Sequence, residues 1–139
     1  MPIYLSTLGT GRADLAQRRQ IAECITEVHV DVTGAPIQFV NVFFSDQADE
    51  ECGFREVPQG KAILVSGGIR AGRTPEQKAE MVERITRGAA DALGCDAEEV
   101  VVTLVSGSAS NAMENGQILP EPGSPEEQAW KELSSANLG

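Results

Sequence analysis

The chain has 139 residues, of which 41% are hydrophobic, and a formal net charge of −10 at pH 7. Its length and apolar content predict a single folded domain, 1–139, with a real hydrophobic core. The negative charge argues against nucleic-acid and anionic-membrane partners, so an anionic ligand would need a local basic pocket. We expect a cytoplasmic protein, because no signal peptide follows Met1 and no apolar run is long enough to span a membrane.

The cysteines indicate no special chemistry. Cys24, Cys52 and Cys95 are widely spaced, their number is odd, and the chain has one histidine. This pattern argues against a disulfide framework and against a zinc site. We therefore expect three reduced thiols, and we predict neither a metal site nor a cofactor.

The sequence contains an internal repeat with an offset of 60 residues. Compared without a gap, 2–46 and 62–106 share ten identical positions, where composition alone predicts roughly three. The repeat predicts two similar units, 2–46 and 62–107. An acidic, turn-rich linker, 46–61, joins them, and a C-terminal extension, 108–139, follows.

Each unit has the pattern of a strand, a helix and a second strand. In the first unit, "PIYLSTL" and "IQFVNVFFS" have strand composition, and apolar residues recur at helical spacing from about 13 to 32. In the second unit, "KAILVSG" and "EVVVTLVS" are predicted strands, and "TPEQ" begins a helix with Thr74 as N-cap and Pro75 in the first turn. Gly34 and Gly94 are predicted to end the two helices.

The two units together predict an α+β fold. Right-handed crossovers give each unit two parallel strands, and the simplest closed arrangement is a four-stranded mixed sheet with both helices on one face. The strands are apolar on both sides, which indicates burial of both sheet faces. In the extension, Ser124 and Pro125 begin a short helix that carries Trp130. Nothing left in the chain is large enough to cover the second sheet face, so we infer oligomerisation through it.

This topology brings chemically active side chains to one edge of the sheet. If the first and third strands are antiparallel, Pro2 at the start of one lies near Arg70 and Arg73 at the end of the other. His29, near the end of the first helix, and Glu114, after the fourth strand, belong to the same rim. Two guanidiniums in a glycine-rich turn suit an anion. Each of these residues also has an ordinary structural explanation.

Pro2, the doubled βαβ unit and "GRTPEQKAEMVERIT" together resemble the tautomerase superfamily. The second unit is similar to the 4-oxalocrotonate tautomerase subunit. A longer resemblance, to the cis-3-chloroacrylic acid dehalogenase family, covers nearly the whole chain through "AECITEVHVDVTG", "GGIRAGR" and "NGQILPEPG". It implies a tautomerase-like homotrimer of fused βαβ units that acts on a small anionic carboxylate substrate.

The resemblance also implies roles for individual residues. Pro2 would be the amino-terminal catalytic proline after removal of Met1, and Glu114 would be the catalytic carboxylate that activates water. The residues that would bind the substrate are His29, Arg70, Arg73 and Thr103.

Two positions depart from the dehalogenase pattern. Thr103 stands in place of the family's water-activating tyrosine, and Gln117 stands where the dehalogenase has an arginine. Thr103 keeps a hydroxyl group near the substrate but lacks the reach and acidity of a phenol. We therefore expect hydration and dehalogenation to be weak or absent.

Three functions remain open from the sequence. The first is a tautomerase of small 2-hydroxy-2,4-dienoates or enolpyruvate-like acids, in which Pro2 transfers the proton. The second is a hydratase or dehalogenase of 3-substituted acrylates. The third is a trimeric binding protein whose proline site has no catalytic role.

Overall fold

The computed structural model describes residues 1–48 and 63–138. These residues form, in chain order, β1 (Ile3–Gly9), α1 (Leu15–Thr33), β2 (Asn41–Gln47), β3 (Ile63–Arg70), α2 (Pro75–Leu93), β4 (Val100–Gly107), β5 (Met113–Glu114), β6 (Gln117–Ile118) and α3 (Pro125–Leu138).

Strands β1 to β4 form the predicted mixed sheet. Its order is β2-β1-β3-β4, with β1 parallel to β2 and β3 parallel to β4. The two units meet through the antiparallel pair β1–β3, which places Ile3 opposite Gly68 and Leu8 opposite Ile63. The α+β fold with two βαβ units is therefore confirmed.

Both long helices begin and end with side-chain and glycine caps that the sequence supplies. Asp14 and Gln17 form a capping box at α1, and Thr74 and Gln77 form the equivalent box at α2. Gly34 ends α1 with φ 71°, a left-handed conformation that glycine adopts without steric cost. The predicted cap and first turn of α2 are confirmed, and α1 begins two residues later than expected.

The main core lies between one sheet face and helices α1 and α2. The apolar stripes of the helices supply Ile21 and Ile25 from α1 and Met81 and Ile85 from α2, all at most 1% exposed. The sheet contributes alternate residues of its inner face, which are Tyr4, Leu8, Ile63, Val65 and Ile69. Burial of these aliphatic side chains is the main stabilising term of the fold.

The predicted second strand of the first unit is only partly correct. Ile37–Phe39 forms a single 3₁₀ turn, closed by hydrogen bonds from Phe39 N to Pro36 O and from Val40 N to Ile37 O. Strand β2 begins afterwards and continues to Gln47, two residues into the segment predicted as linker. The rest of that linker, from 49 onward, lies outside the described residues.

The C-terminal extension forms a hairpin and a helix. Asn115 and Gly116 both have positive φ, 53° and 74°, as a tight turn between β5 and β6 requires. Helix α3 carries Trp130, which stacks on Phe39 with ring centroids 4.3 Å apart. Phe39 therefore turns into a second small cluster, with Ala109, Leu119 and Trp130, instead of continuing a strand.

In the ranges that the structure describes, the sheet face opposite the helices exposes large apolar side chains. Four large apolar side chains on it are 42–64% exposed: Ile3, Leu5, Phe43 and Val105. An exposed apolar sheet face of this kind is what the strand pattern predicted when we inferred oligomerisation from the sequence.

Two further expectations concern the whole chain. Cys24 and Cys95 are free thiols, and Cys52 lies outside the described residues. Within the described ranges, no helix has both the length and the apolar character required to cross a membrane.

We expect Gly67→Ala to destabilise the fold by about 1–3 kcal/mol, because it overpacks the sheet beside Tyr4. A Cβ atom at Gly67 would lie 2.5 Å from Tyr4 Cε1 and 2.8 Å from Leu104 Cδ2. The matched control is Gly68→Ala, whose Cβ would lie 3.8 Å from its nearest neighbours. Urea unfolding measures both variants, and an equal free energy of unfolding for the two would contradict the prediction.

Candidate active site

Pro2 lies at the beginning of β1 and is fully buried. Its carbonyl oxygen accepts two hydrogen bonds from Asn41, one from the backbone N and one from Nδ2, both 3.1 Å. Because β1 and β3 are antiparallel, this end of β1 meets the end of β3 that carries Arg70. The backbone next to Pro2 is therefore held in place by β2 and the sheet.

Glu114 lies beside the amino terminus. Strand β5 carries it, Asn41 Nδ2 donates to its Oε1 at 3.1 Å, and its Oε2 forms an ion pair with the Met1 amino group. Burial lowers the pKa of that amino group, and the charge of Arg70 adds to the effect, while the hydrogen bond that the amino group donates to Glu114 opposes it. The net result is a terminal amine that loses its proton more easily than usual.

His29 is buried against Tyr4. Its Nδ1 and the Tyr4 hydroxyl share a 2.8 Å hydrogen bond, and the two rings meet edge to face. Burial, and then the positive charges of Arg73, the amino terminus and Arg70, lower the pKa of His29 to about 3. His29 is consequently neutral at neutral pH, and burial also raises the pKa of the Tyr4 hydroxyl.

Arg73 follows β3, in the turn before α2, and is half-buried. Its Nε is buried and has no hydrogen-bond partner among the described residues. Burial and the nearby charge of Arg70 lower the pKa of Arg73, although a guanidinium keeps its proton in proteins. A buried donor without a partner costs free energy, so this side chain is suited to an anionic ligand.

Arg70 already has protein partners. Its Nη1 donates to the Pro120 carbonyl oxygen at 2.8 Å and to Glu127 Oε2 at 2.7 Å, and its guanidinium carbon lies 5.2 Å from the centre of the Trp130 ring. Burial raises the pKa of Glu127, but the hydrogen bond from Gly123 and the charge of Arg70 outweigh this and lower it. Arg70 is therefore paired with a carboxylate, whereas the Nε of Arg73 has no hydrogen-bond partner among the described residues.

Thr103 and Gln117, the two residues that depart from the dehalogenase pattern, lie in different parts of the fold. Thr103 is exposed on the open sheet face and is paired with Ser66, whereas neighbouring Leu104 lies on the same side as Tyr4. This single chain thus places Thr103 on the opposite sheet face from His29. Gln117 lies in β6, directly across the hairpin from Glu114.

The structure adds four residues that the sequence did not single out: Tyr4, Asn41, Glu127 and Trp130. Only Tyr4 had a usable signal, because it lies two residues after Pro2 and so on the same side of the strand. The other three reach the site through contacts between residues distant in sequence.

Two cavities differ in their relation to these residues. A cavity of about 170 Å³ lies beside Glu114, with Met1, Asn41 and Phe43 in its lining. A larger groove of about 720 Å³ lies between α1 and β2 and contains none of the candidate residues. The smaller cavity belongs to the candidate site because Glu114 and Met1, which carries the amino terminus, line it.

Comparison with known proteins agrees with the fold. The family model described as "Putative oxalocrotonate tautomerase enzyme" matches residues 1–135. The crystal structure of a member of the cis-3-chloroacrylic acid dehalogenase (cis-CaaD) family is 32% identical, with a TM-score of 0.85 over 96% of this chain and 99% of that chain. The tautomerase superfamily is therefore the class of this protein. The chain belongs to the oxalocrotonate tautomerase family that the matching model describes.

More distant structures share the fold. A native fused 4-OT is 21% identical, with a TM-score of 0.74 over 84% of this chain and 94% of that chain. A fused 4-OT wild-type asymmetric trimer is 18% identical, with a TM-score of 0.75 over 92% and 98%. No curated protein matches the chain.

We expect His29 to make folding sensitive to acid. Its pKa is about 3 in the folded state and about 6.5 when unperturbed, so between these values the unfolded chain binds a proton that the native chain does not. The stability that the neutral His29 contributes to the free energy of unfolding is complete above pH 6.5. It is lost as the pH falls toward 3, by at most about 1.4 kcal/mol per pH unit. Urea unfolding at pH 7, 6 and 5 should show this slope in the wild type and a smaller one in His29→Gln.

The comparison is well defined because His29 is the only histidine of the chain. Carboxylates and the amino terminus titrate in both proteins and cancel in the difference. Equal slopes for the wild type and His29→Gln would show that His29 is not held neutral.

Proposed function

We propose that this protein is a tautomerase that uses the secondary amine of Pro2, exposed by removal of Met1, for proton transfer on small unsaturated or enol carboxylic acids. The observation that carries the proposal is the complete burial of Pro2 in a neighbourhood that contains two guanidiniums and a neutral imidazole. A strand-initial proline has no structural need for such surroundings, since Ala62 takes the equivalent place in the repeat.

The surroundings of Pro2 favour an uncharged amine. Burial disfavours the ammonium form at the amino terminus, Glu114 opposes this effect, and the positive charge of Arg70 adds to it. His29 is neutral, so it does not compete for protons near neutral pH. A secondary amine under these conditions is a base near pH 7, where general base catalysis is most efficient.

The reaction needs one proton relay. The Pro2 nitrogen takes the enol hydroxyl proton as the O–H electron pair becomes part of the new C=O bond. The electrons of the C=C bond then take the proton back from the Pro2 ammonium at the adjacent carbon. The product is an isomer of the substrate, so no water, metal or oxidant enters the balance.

Arg73 supplies the binding partner for the substrate carboxylate. Its buried Nε has no partner among the described residues, so a carboxylate would satisfy it. A guanidinium beside the conjugated system also stabilises the negative charge that develops in an enolate-like transition state. Arg70 lies behind this contact and adds its field through the same edge of the sheet.

Glu114 is assigned to orienting the amine. It forms the ion pair with the present amino terminus, and Asn41 joins its Oε1 to the Pro2 carbonyl oxygen. Tautomerisation requires no activated water, and Thr103, at the position of the family's tyrosine, lacks the acidity and reach of a phenol. The missing tyrosine favours tautomerisation over hydration or dehalogenation.

We also propose a homotrimer. The open sheet face carries exposed Ile3, Leu5, Phe43 and Val105, and exposed apolar patches of this kind are typical of protein interfaces. A fused 4-OT with the same fold is an asymmetric trimer. Closed rotational symmetry would cover this face in every subunit.

The enzyme proposal predicts that Pro2→Ala lowers kcat/KM for ketonisation of phenylenolpyruvate by at least about 100-fold, because a primary amine of different basicity and geometry replaces the ring nitrogen. Mass spectrometry of the purified protein should show that Met1 has been removed. The control is Pro75→Ala, an exposed proline at the first position of α2, which should keep the wild-type rate.

Two outcomes would overturn the enzyme proposal. A retained Met1 would leave Pro2 as a non-basic amide nitrogen, and equal rates for the wild type and Pro2→Ala would exclude proline catalysis. Halide release from cis-3-chloroacrylate, measured in parallel, should be slow; efficient release would favour the dehalogenase reaction instead.

The trimer proposal predicts that Phe43→Lys dissociates the assembly, because it places a charge on a face that must be dry. Sedimentation velocity should show a trimer for the wild type and monomers for this variant. Leu15→Lys is the control, since Leu15 is 67% exposed at the start of α1, on the helix side. A monomeric wild type would refute the proposal directly.

A further inference from the structure

We propose that Glu127 is a specificity-determining residue of this site, which pairs with Arg70 and thereby favours monocarboxylate over dicarboxylate ligands. The proposal rests on the proposed function in one respect, that the ligand is a carboxylate. It adds a role for the C-terminal helix, which neither the chemistry of Pro2 nor the βαβ repeat requires.

The geometry around Arg70 shows that the pairing is close and enclosed. The side chains of Arg70 and Glu127 are 3% and 14% exposed, and Nη1 to Oε2 is 2.7 Å. Pro120 O accepts the second hydrogen bond of Nη1, and Trp130 lies against the guanidinium plane. Ion pairs with this little water are screened far less than pairs on a surface.

Glu127 is itself held firmly in place. Its Oε1 accepts a hydrogen bond from Gly123 N at 3.2 Å and lies 3.5 Å from Lys131 Nζ. One turn along α3, Trp130 is stacked on Phe39 and is 5% exposed. A ligand that displaced Glu127 from Arg70 would have to disturb these contacts as well.

The charges of Arg70, Arg73 and Glu127 determine how many carboxylates a ligand can place in this site. Glu127 forms a direct ion pair with Arg70 and acts on Arg73 only through its charge, so the buried Nε of Arg73 has no partner in the described part of the chain. One free guanidinium matches one carboxylate. A second carboxylate directed toward Arg70 would meet the negative charge of Glu127, and such a repulsive element is a common source of specificity.

The test compares two saturated acids that cannot react, propionate and succinate, by calorimetric titration. We expect the wild type to bind propionate more tightly than succinate. In Glu127→Gln, Arg70 loses its anionic partner, so the affinity of succinate relative to propionate should rise at least tenfold. Emission from Trp130, the only tryptophan of the chain, should change when a ligand reaches Arg70.

The control variant is Glu126→Gln. It removes the same charge from the same helical turn, but Glu126 is exposed and forms no hydrogen bond or ion pair within the described residues. Its succinate-to-propionate ratio should stay within twofold of the wild type. A ratio that rises equally in both variants would assign the effect to net charge and overturn the proposal.

A purely structural role for Glu127 predicts lower stability with no change of selectivity. Unfolding by urea identifies that case, and an unchanged affinity ratio in folded Glu127→Gln refutes the proposal. If that variant does not fold, Glu127→Asp retains the charge at a greater distance from Arg70, and its ratio should rise at least twofold. An unchanged ratio there is equally decisive.

Failure of the proposed function would look different. Binding of saturated acids needs no Pro2 chemistry, so a protein that binds propionate selectively without Pro2-dependent isomerisation contradicts only the tautomerase assignment. Failure of the wild type and the variants to bind either acid would overturn the specificity role of Glu127.

Discussion

In the centre of the sheet, β1 and β3 run antiparallel in a register that places Ile3 opposite Gly68. This register brings the first residues of the chain to the end of β3, where Arg70 is located. A parallel arrangement of the two units would put the amino terminus and the arginines at opposite ends of the sheet. A shift by one residue would turn Tyr4 to the open face and remove the partner of His29. The position of the site thus depends on one strand pairing.

The same edge of the sheet carries two positively charged side chains, Arg70 and Arg73, and only Arg70 has an anionic partner among the described residues. Burying a guanidinium is costly unless hydrogen bonds and an opposite charge accompany it. Arg70 has all of these through Pro120, Glu127 and Trp130, so it contributes to a stable ground state. The buried Nε of Arg73 has no such partner within 1–48 and 63–138. Proteins keep unpaired buried polar groups mainly at sites that bind ligands. The contrast therefore supports the proposal that Arg73 binds the ligand while Arg70 stabilises the surrounding structure.

Local patterns in the sequence were sufficient for the elements but not for the contacts between them. The capping box at Thr74 predicts the start of α2 because it depends on neighbouring residues. The 60-residue repeat predicts the four-stranded sheet because each unit has its own strand, helix and strand pattern. The 3₁₀ turn at Ile37–Phe39 was missed because Phe39 packs on Trp130, 91 positions later in the chain, and tertiary packing overrides strand propensity. The hairpin at Asn115 and Gly116 has a local signal, because an Asn-Gly pair favours a tight turn between two strands. The pairing of Arg70 with Glu127 has no local signal at all.

Removal of Met1 would change the electrostatics of the site as well as expose an amine. The present amino terminus belongs to a residue whose side chain is 19% exposed, whereas Pro2 is fully buried. Pro2 has this burial with Met1 in place, and removal of Met1 would move the terminal nitrogen to Pro2, beside Asn41 and Glu114. Desolvation is already the largest cause of the lowered pKa at Met1. Glu114 opposes it through a direct hydrogen bond, which would have to re-form at the new position. The basicity of the processed amine would then be set by the same balance, in which burial and Arg70 lower the pKa and Glu114 raises it.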